Sequence, residues 1–141
     1  NRFTLEEGNI ISAMARSCGA ELLAVYGHQG FCDRNIDCGP DEILSYFKGA
    51  EFVVTDTFHG SIFSAITHTP FAVVKRNQNA NKLLDLLERL SLMNRLASVP
   101  EQIGLILKCD QSFEESDRIR ACARRESFAY LKENTRIGAE G

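Results

Sequence analysis

The segment Phe52-Val-Val-Thr-Asp-Thr-Phe-His-Gly-Ser-Ile-Phe-Ser-Ala65 decides the fold. It begins with a short apolar run of strand-forming residues, Phe52 to Val54, and then passes through a polar corner, Thr55 to Thr57. Small and apolar residues follow, with helical spacing at Phe58, Ile62, Phe63 and Ile66. The segment therefore predicts a strand, a tight turn and the start of a helix.

This predicted turn is a candidate ligand site. In open α/β sheets, ligands bind beyond the carboxyl ends of the strands, and a helix start offers free N–H groups and partial positive charge to an anion. His59 falls in the first helical turn beside the hydroxyls of Thr57 and Ser61, and Gly60 leaves no side chain in the way. A single histidine in such a place is more often structural than catalytic, so the chemistry alone leaves both interpretations open.

Length and composition restrict the class of protein. The 141 residues suit one domain with a real core, and 44% hydrophobic with 25% charged residues is ordinary for a globular protein. The 16 basic and 19 acidic residues give a net charge of −3, which argues against a general nucleic-acid binder. We expect neither a membrane-spanning segment nor a signal peptide in this stretch. Because it does not begin with Met, we expect it to be a piece of a longer polypeptide.

The five cysteines are odd in number and lack Cys-x-x-Cys spacing, which favours free thiols in a reducing compartment. Cys32 and Cys38 flank a polar loop near His28, but their spacing fits no standard zinc pattern, so we predict no metal site. Apolar or helical neighbours predict that the other three are small core residues: Cys18, Cys109 and Cys122.

Helices and apolar strands alternate along the chain. The first helix is expected from a cap near Thr4 to Gly19, followed by a buried strand, Leu22 to Tyr26, and a long loop, Gly27 to Gly39. The remaining predicted elements are a helix from Pro40 to Gly49, a strand from Glu51 to Thr55, the His59 helix ending at His68 to Pro70, a strand from Phe71 to Val74, a helix through Leu83 to Leu90, a short strand from Leu96 to Val99, a helix opened by Pro100, and a last helix opened by Ser112 with a stripe reaching Leu131.

This order predicts an α/β fold, a single three-layer Rossmann-like domain over 1–141 with a mainly parallel sheet covered on both faces. The chain opens on a helix, whereas a doubly wound domain normally begins with a strand. We therefore expect a strand, and a whole N-terminal region, to precede residue 1.

Cations follow the strand Phe71 to Val74. Lys75 and Arg76, with Lys82 near a helix start at Ala80 or Asn81, suit a phosphate or carboxylate, although plain solvated charge is an equal alternative. His28 and Arg34 could reach a ligand from the loop Gly27 to Gly39, but for both residues we favour the alternative that they lie on a solvated surface loop. We expect His68 to be a surface group at a helix C-terminus.

Several of these stretches resemble the C-terminal half of the polysaccharide pyruvyl transferase family. The resemblance rests on Asp56-Thr-Phe-His-Gly-Ser-Ile-Phe-Ser64, Thr69-Pro-Phe-Ala-Val-Val-Lys-Arg76, Asn81-Lys-Leu-Leu-Asp-Leu-Leu87 and the approach segment Gly39 to Phe52. It covers about half of the chain, best from Gly39 to Leu92. It implies the C-terminal half of a GT-B-type two-domain transferase, with two Rossmann-like halves facing a cleft.

The resemblance also implies a function. Such cytoplasmic enzymes of bacterial exopolysaccharide biosynthesis move a pyruvyl group from phosphoenolpyruvate onto sugar hydroxyls as a ketal, with no cofactor or metal. The partners implied are phosphoenolpyruvate, a free or lipid-linked saccharide and the missing N-terminal domain, with at most peripheral membrane association and no nucleic acid. The isolated piece should be inactive because the acceptor half is missing.

The resemblance assigns roles at the predicted turn. His59 is the implied catalytic acid or base, or a phosphate ligand, and Thr57, Ser61 and the backbone N–H groups of Phe58 to Ser61 cradle the anion. Asp56 either orients His59 or caps the helix, and capping is the favoured alternative. Several family members carry Arg where this chain has Phe58, so the phosphate-binding cation must come from elsewhere. The candidates are Lys75, Arg76 and Lys82.

Two other classes remain open. A GT-B-type glycosyltransferase that uses a nucleotide-sugar would share the phosphate-binding helix start. A non-catalytic anion- or sugar-binding module would lose no transferase activity on replacement of His59.

Overall fold

The computed structural model describes residues 3–25, 27–77 and 80–123. Its helices are α1 (Leu5–Cys18), α2 (Pro40–Gly49), α3 (Phe58–Thr67), α4 (Ala80–Arg89) and α5 (Glu101–Lys108), and its strands are β1 (Leu23–Val25), β2 (Arg34–Ile36), β3 (Val53–Thr55), β4 (Phe71–Val74) and β5 (Leu96–Ala97). A further helix, α6, begins at residue 114 and continues to 123. Tyr26, and the predicted stripe as far as Leu131, lie outside the described residues.

Every strand pairing in the described chain is parallel, which confirms the α/β class. The strands form two short sheets, ordered β1-β2 and β3-β4-β5, rather than the single sheet expected. Strand β2 lies inside the predicted loop because its Arg34-Asn-Ile sequence has no apolar run. Side chains hold it in place: Asp33 accepts the Leu22 amide at 2.8 Å.

The first helix begins and ends as predicted. Thr4 Oγ1 accepts the Glu7 amide at 3.2 Å, and the Glu7 carboxylate accepts the Thr4 amide at 2.9 Å, forming a capping box. Gly19 ends the helix in the left-handed region, at φ 66°. The other predicted helices and the strands β3, β4 and β5 are also present, with the Ser112 hydroxyl accepting the Glu114 amide just before α6.

Strand β4 lies at the centre of the core and is buried at every residue. Alternate side chains point to opposite faces of a strand. Phe71 and Val73 pack on one face, and Ala72 and Val74 on the other. The first face meets Ala65, Leu83, Leu87, Leu90 and Phe113, and the second meets Ile11, Ala97 and Ile103. Helices therefore cover both faces of the β3-β4-β5 sheet, as predicted.

The cysteine prediction was wrong in one respect. Cys18, Cys109 and Cys122 are exposed, whereas Cys38 is buried. Cys18 is the last residue of α1 and Cys109 caps the end of α5, so both lie at exposed helix ends rather than on the buried faces of these helices. Among residues 3–25, 27–77 and 80–123, each helix is too short or too polar to span a lipid bilayer.

Candidate functional site

A tight turn joins the end of β3 to the start of α3. Thr57 is the N-cap residue of α3, and its Oγ1 accepts the Gly60 amide at 3.0 Å. Thr55 Oγ1 accepts the Thr57 amide at 3.1 Å and lies 3.0 Å from Thr57 Oγ1. The two threonine hydroxyls thus fix the turn. The favoured prediction that Asp56 caps the helix was wrong, because Thr57 is the residue whose backbone is extended at the cap.

Gly60 brings α3 directly against this turn. A Cβ atom at this position would lie 2.1 Å from Thr55 Oγ1 and 2.8 Å from Thr57 Oγ1. The buried residues of α3 are all small: Gly60, Ser61, Ser64 and Ala65. The larger side chains of α3 are not among its buried residues, and two of them, Phe58 and Ile66, are 38% and 44% exposed. Close backbone approach, rather than bulky apolar packing, therefore positions the helix start.

The first turn of α3 presents His59 to solvent. The His59 ring is exposed, with ring centroids 5.7 Å from Phe58 and 6.3 Å from Phe63. The amides of Phe58 and His59 have no hydrogen-bond acceptor within the described chain, whereas the Gly60 and Ser61 amides donate to Thr57. The predicted anion cradle of Phe58 to Ser61 is therefore narrower than expected, because only its first two amides are available.

Ser61 does not face solvent beside His59. Its side chain is 1% exposed, and its Oγ donates to the Thr57 carbonyl at 2.9 Å. The hydroxyl proton of Ser61 is therefore used in a hydrogen bond within the helix start, and this side chain does not contribute to the predicted anion cradle.

Arg76 lies between two buried carboxylates. Its guanidinium makes a bidentate pair with Glu7, Nη1 to Oε1 at 2.7 Å and Nη2 to Oε2 at 2.8 Å. Its Nε donates to Asp56 Oδ2 at 3.1 Å. Hydrogen bonds from Arg76 hold the pKa of Glu7 below its usual value, and the same bonds raise the pKa of Arg76. The cluster fastens α1 to the residues that follow β3 and β4.

The sequence predicted that Asp56 and Arg76 lie at the same edge of the parallel sheet, but it did not predict that Glu7 joins them. Its only signal was the Thr4-x-x-Glu7 spacing of a capping box, which predicts a helix start and no distant ion pair. Two predicted cations stay exposed: Lys75, directly after β4, and Lys82, in the first turn of α4. Neither ammonium group has an ion-pair partner among residues 3–25, 27–77 and 80–123.

The remaining candidates lie apart from this cluster. Arg34 Nε contacts Glu21 Oε1 at 2.6 Å on the surface, and His28 lines a separate cleft of about 640 Å³ beside the start of α1. His68 is the left-handed C-cap of α3, at φ 57°, with Nε2 2.8 Å from Asp117 Oδ2, as expected for a surface group at a helix C-terminus. In the described part of the chain, His, Cys, Asp and Glu form no group of three that could hold a metal ion.

The fold and the site together define an α/β protein with an anion-suited helix start at the carboxyl end of a parallel strand. A family model described as polysaccharide pyruvyl transferase matches residues 35–79. This range contains α2, β3, the turn, α3 and β4. It confirms the resemblance for this part of the chain. Comparison with curated proteins gave no match, and comparison with solved structures gave none. The likeness to half of a GT-B-type enzyme therefore stays a prediction.

Proposed function

We propose that this chain is part of a cytoplasmic polysaccharide pyruvyl transferase, which transfers a pyruvyl group from phosphoenolpyruvate to sugar hydroxyls as a ketal. The observation that carries the proposal is the family match over residues 35–79, which has the β3–α3 turn near its middle. The acceptor is a free or lipid-linked saccharide of the cell surface. We expect the 141-residue chain alone to be inactive, because the acceptor is held by another domain of the same enzyme.

The donor suits the turn. Phosphoenolpyruvate carries a phosphate and a carboxylate, and the free amides of Phe58 and His59 at the positive end of α3 are matched to an anion. In this proposal Lys75 and Lys82 supply the positive charge. Arg76, already held by Glu7 and Asp56, keeps the turn in position beneath the donor.

His59 is the proposed proton carrier. One sugar oxygen bonds to C2 of phosphoenolpyruvate while the methylene carbon takes a proton. The second sugar oxygen then displaces phosphate. The two hydroxyl protons are thus balanced by one new C–H bond and one proton that leaves with phosphate. An imidazole can accept or donate such protons near neutral pH, and the exposed His59 ring stands at the helix start where the phosphate is proposed to bind.

Calorimetric titration with phosphoenolpyruvate, inorganic phosphate and uridine diphosphate tests this function. We expect phosphoenolpyruvate to bind more tightly than the other two. Replacing His59 with Ala should weaken its binding about tenfold or more, because the imidazole is also proposed to hydrogen-bond the donor phosphate and that bond to a charged group is lost.

The matched control is His68→Asn at the opposite end of α3, since Asn tolerates the left-handed backbone there. It should leave the affinity for phosphoenolpyruvate unchanged. Preferential binding of uridine diphosphate would point to a nucleotide-sugar enzyme and refute the proposal, as would equal affinities in the wild type and His59→Ala.

A further inference from the structure

A gap separates the two parallel sheets. Its volume is about 900 Å³, and its walls include Leu22 to Val25 on one side and Phe52 to Thr55 on the other. Side chains of the helical layers close it, among them Ile11 from α1 and Phe63 from α3. The gap therefore occupies the plane of the sheets, between β1 and β3.

Both strands turn unpaired backbone groups towards this gap. The Val53 amide donates to the Pro70 carbonyl beside β4, at 2.9 Å. Because successive residues of a strand point their polar groups to opposite sides, those of Val54 face away from β4. On β1 the Leu22 carbonyl accepts from Asp33 and Arg34 next to β2, so the polar groups of Leu23 and Val25 face the gap. Within the described ranges no strand pairs with either edge.

The sequences of β1 and β3 are those of central strands. Leu22-Leu-Ala-Val25 and Phe52-Val-Val54 are continuous apolar runs, which are typical of parallel strands buried on both faces. Neither run carries the charges or prolines that normally protect an edge strand. Yet β1 and β3 are each buried at only one residue, whereas β4, which has a neighbour on both sides, is buried throughout.

The position of α1 fixes a direction through the gap. The pair of Glu7 with Arg76 holds the first turn of α1 at the residues that follow β4, at the carboxyl edge of the β3-β4-β5 sheet. A strand that leads into the amino end of α1 must therefore end at this edge. It would run parallel to β3.

We propose that the gap is filled by an extended apolar segment of the same polypeptide that leads into α1 and joins the two sheets into one. With this segment counted as strand 1, β1 and β2 become strands 2 and 3, and β3 to β5 become strands 4 to 6. The resulting order is 3-2-1-4-5-6, that of doubly wound dinucleotide-binding domains. This inference rests on the fold and not on the proposed function.

The inserted strand also completes the candidate site. The gap reaches Thr57 and His59 at its carboxyl end, between the proposed strands 1 and 4. This is the switch point at which ligands bind in open α/β sheets.

Two fusion proteins test the inference. One carries a designed strand of about six residues, rich in Val and Ile, joined ahead of Asn1 by a short Gly-Ser turn. The control carries Pro at alternate positions of the same strand. Because Pro is not accommodated in a central strand, this segment should not enter the gap between β1 and β3. Amide hydrogen exchange is then measured at Leu23, Val25 and Val54.

We expect the designed strand to slow exchange at these three amides by about tenfold or more, and the Pro control to leave it unchanged. Equal exchange in the two fusions would overturn the inference. The inference would also be overturned if these three amides were already protected in the 141-residue chain without a fusion, and if that protection disappeared in one of two experiments. The experiments are deletion of residues 124–141 and dilution of a dimer. Either result would assign the gap to the tail or to a second copy.

Discussion

Replacing Gly60 with alanine is expected to lower the free energy of unfolding by about 3 kcal/mol. The new methyl group would lie 2.1 Å from Thr55 Oγ1 and 2.9 Å from Thr55 Cβ, and Thr55 is a buried, β-branched residue that cannot move aside. The helix start must therefore shift away from the turn that holds it. Urea unfolding followed by circular dichroism measures the loss.

A second helical glycine provides the control. In α5 a Cβ atom at Gly104 would have its nearest contact at 3.7 Å, to Met14 Sδ, which is an ordinary packing distance. Gly104→Ala should therefore stabilise the chain by about 0.5–1 kcal/mol through helix propensity alone. Similar effects of the two substitutions would show that Gly60 is not a contact point between β3 and α3.

Replacing Arg76 with methionine is expected to cost about 3–4 kcal/mol at neutral pH, because it leaves two buried carboxylates without their partner. The Glu7 and Asp56 side chains are only 6% and 7% exposed. The comparison is Arg34→Met, which breaks a pair with Glu21 whose side chains are 59% and 50% exposed. That pair should contribute about 0–1 kcal/mol. Equal losses in the two variants would contradict the structural role of Arg76.

The cost of Arg76→Met should depend on pH. The pKa of Glu7 is lower in the folded chain than its usual value of 4.5, owing to its hydrogen bonds with Arg76. The stabilisation is therefore complete above that usual value and is lost as the pH falls through the folded-state pKa. Urea unfolding at about pH 7 and about pH 3 should show a smaller difference between variant and wild type in acid. If the difference in free energy of unfolding between variant and wild type were the same at both pH values, the loss of stability would not arise from the carboxylates.

The local elements could be predicted from sequence because their causes are local. Strand formers before Thr55, small residues after it and a left-handed Gly19 each act within a few residues. The cluster at the site depends instead on a contact between Glu7 and Arg76, which are 69 positions apart. Neither residue's neighbours indicate that contact. Only the tertiary fold brings them together.

Two further features escaped sequence reasoning for related reasons. Strand β2 has an exposed, polar sequence, so its pairing with β1 depends on side-chain and backbone bonds from the preceding residues. Arg95 is buried in the core, with its guanidinium 5.2 Å from the Phe113 ring centroid and its Nη2 donating to the Ser112 carbonyl at 2.7 Å. Arginine is rarely buried without a partner, and here the partners are the Phe113 ring and the Ser112 carbonyl, which its neighbours in the sequence do not indicate.

The central claim is that the β3–α3 turn binds the donor anion through the start of α3. The most direct test follows the backbone amide resonances of the labelled chain during titration with phosphoenolpyruvate. We predict that the largest shifts fall on the free amides of Phe58 and His59, with smaller shifts at Gly60 and Ser61, whose amides are already bonded to Thr57. Saturable shifts confined to residues outside the β3–α3 turn and residues 75–77 would contradict the account.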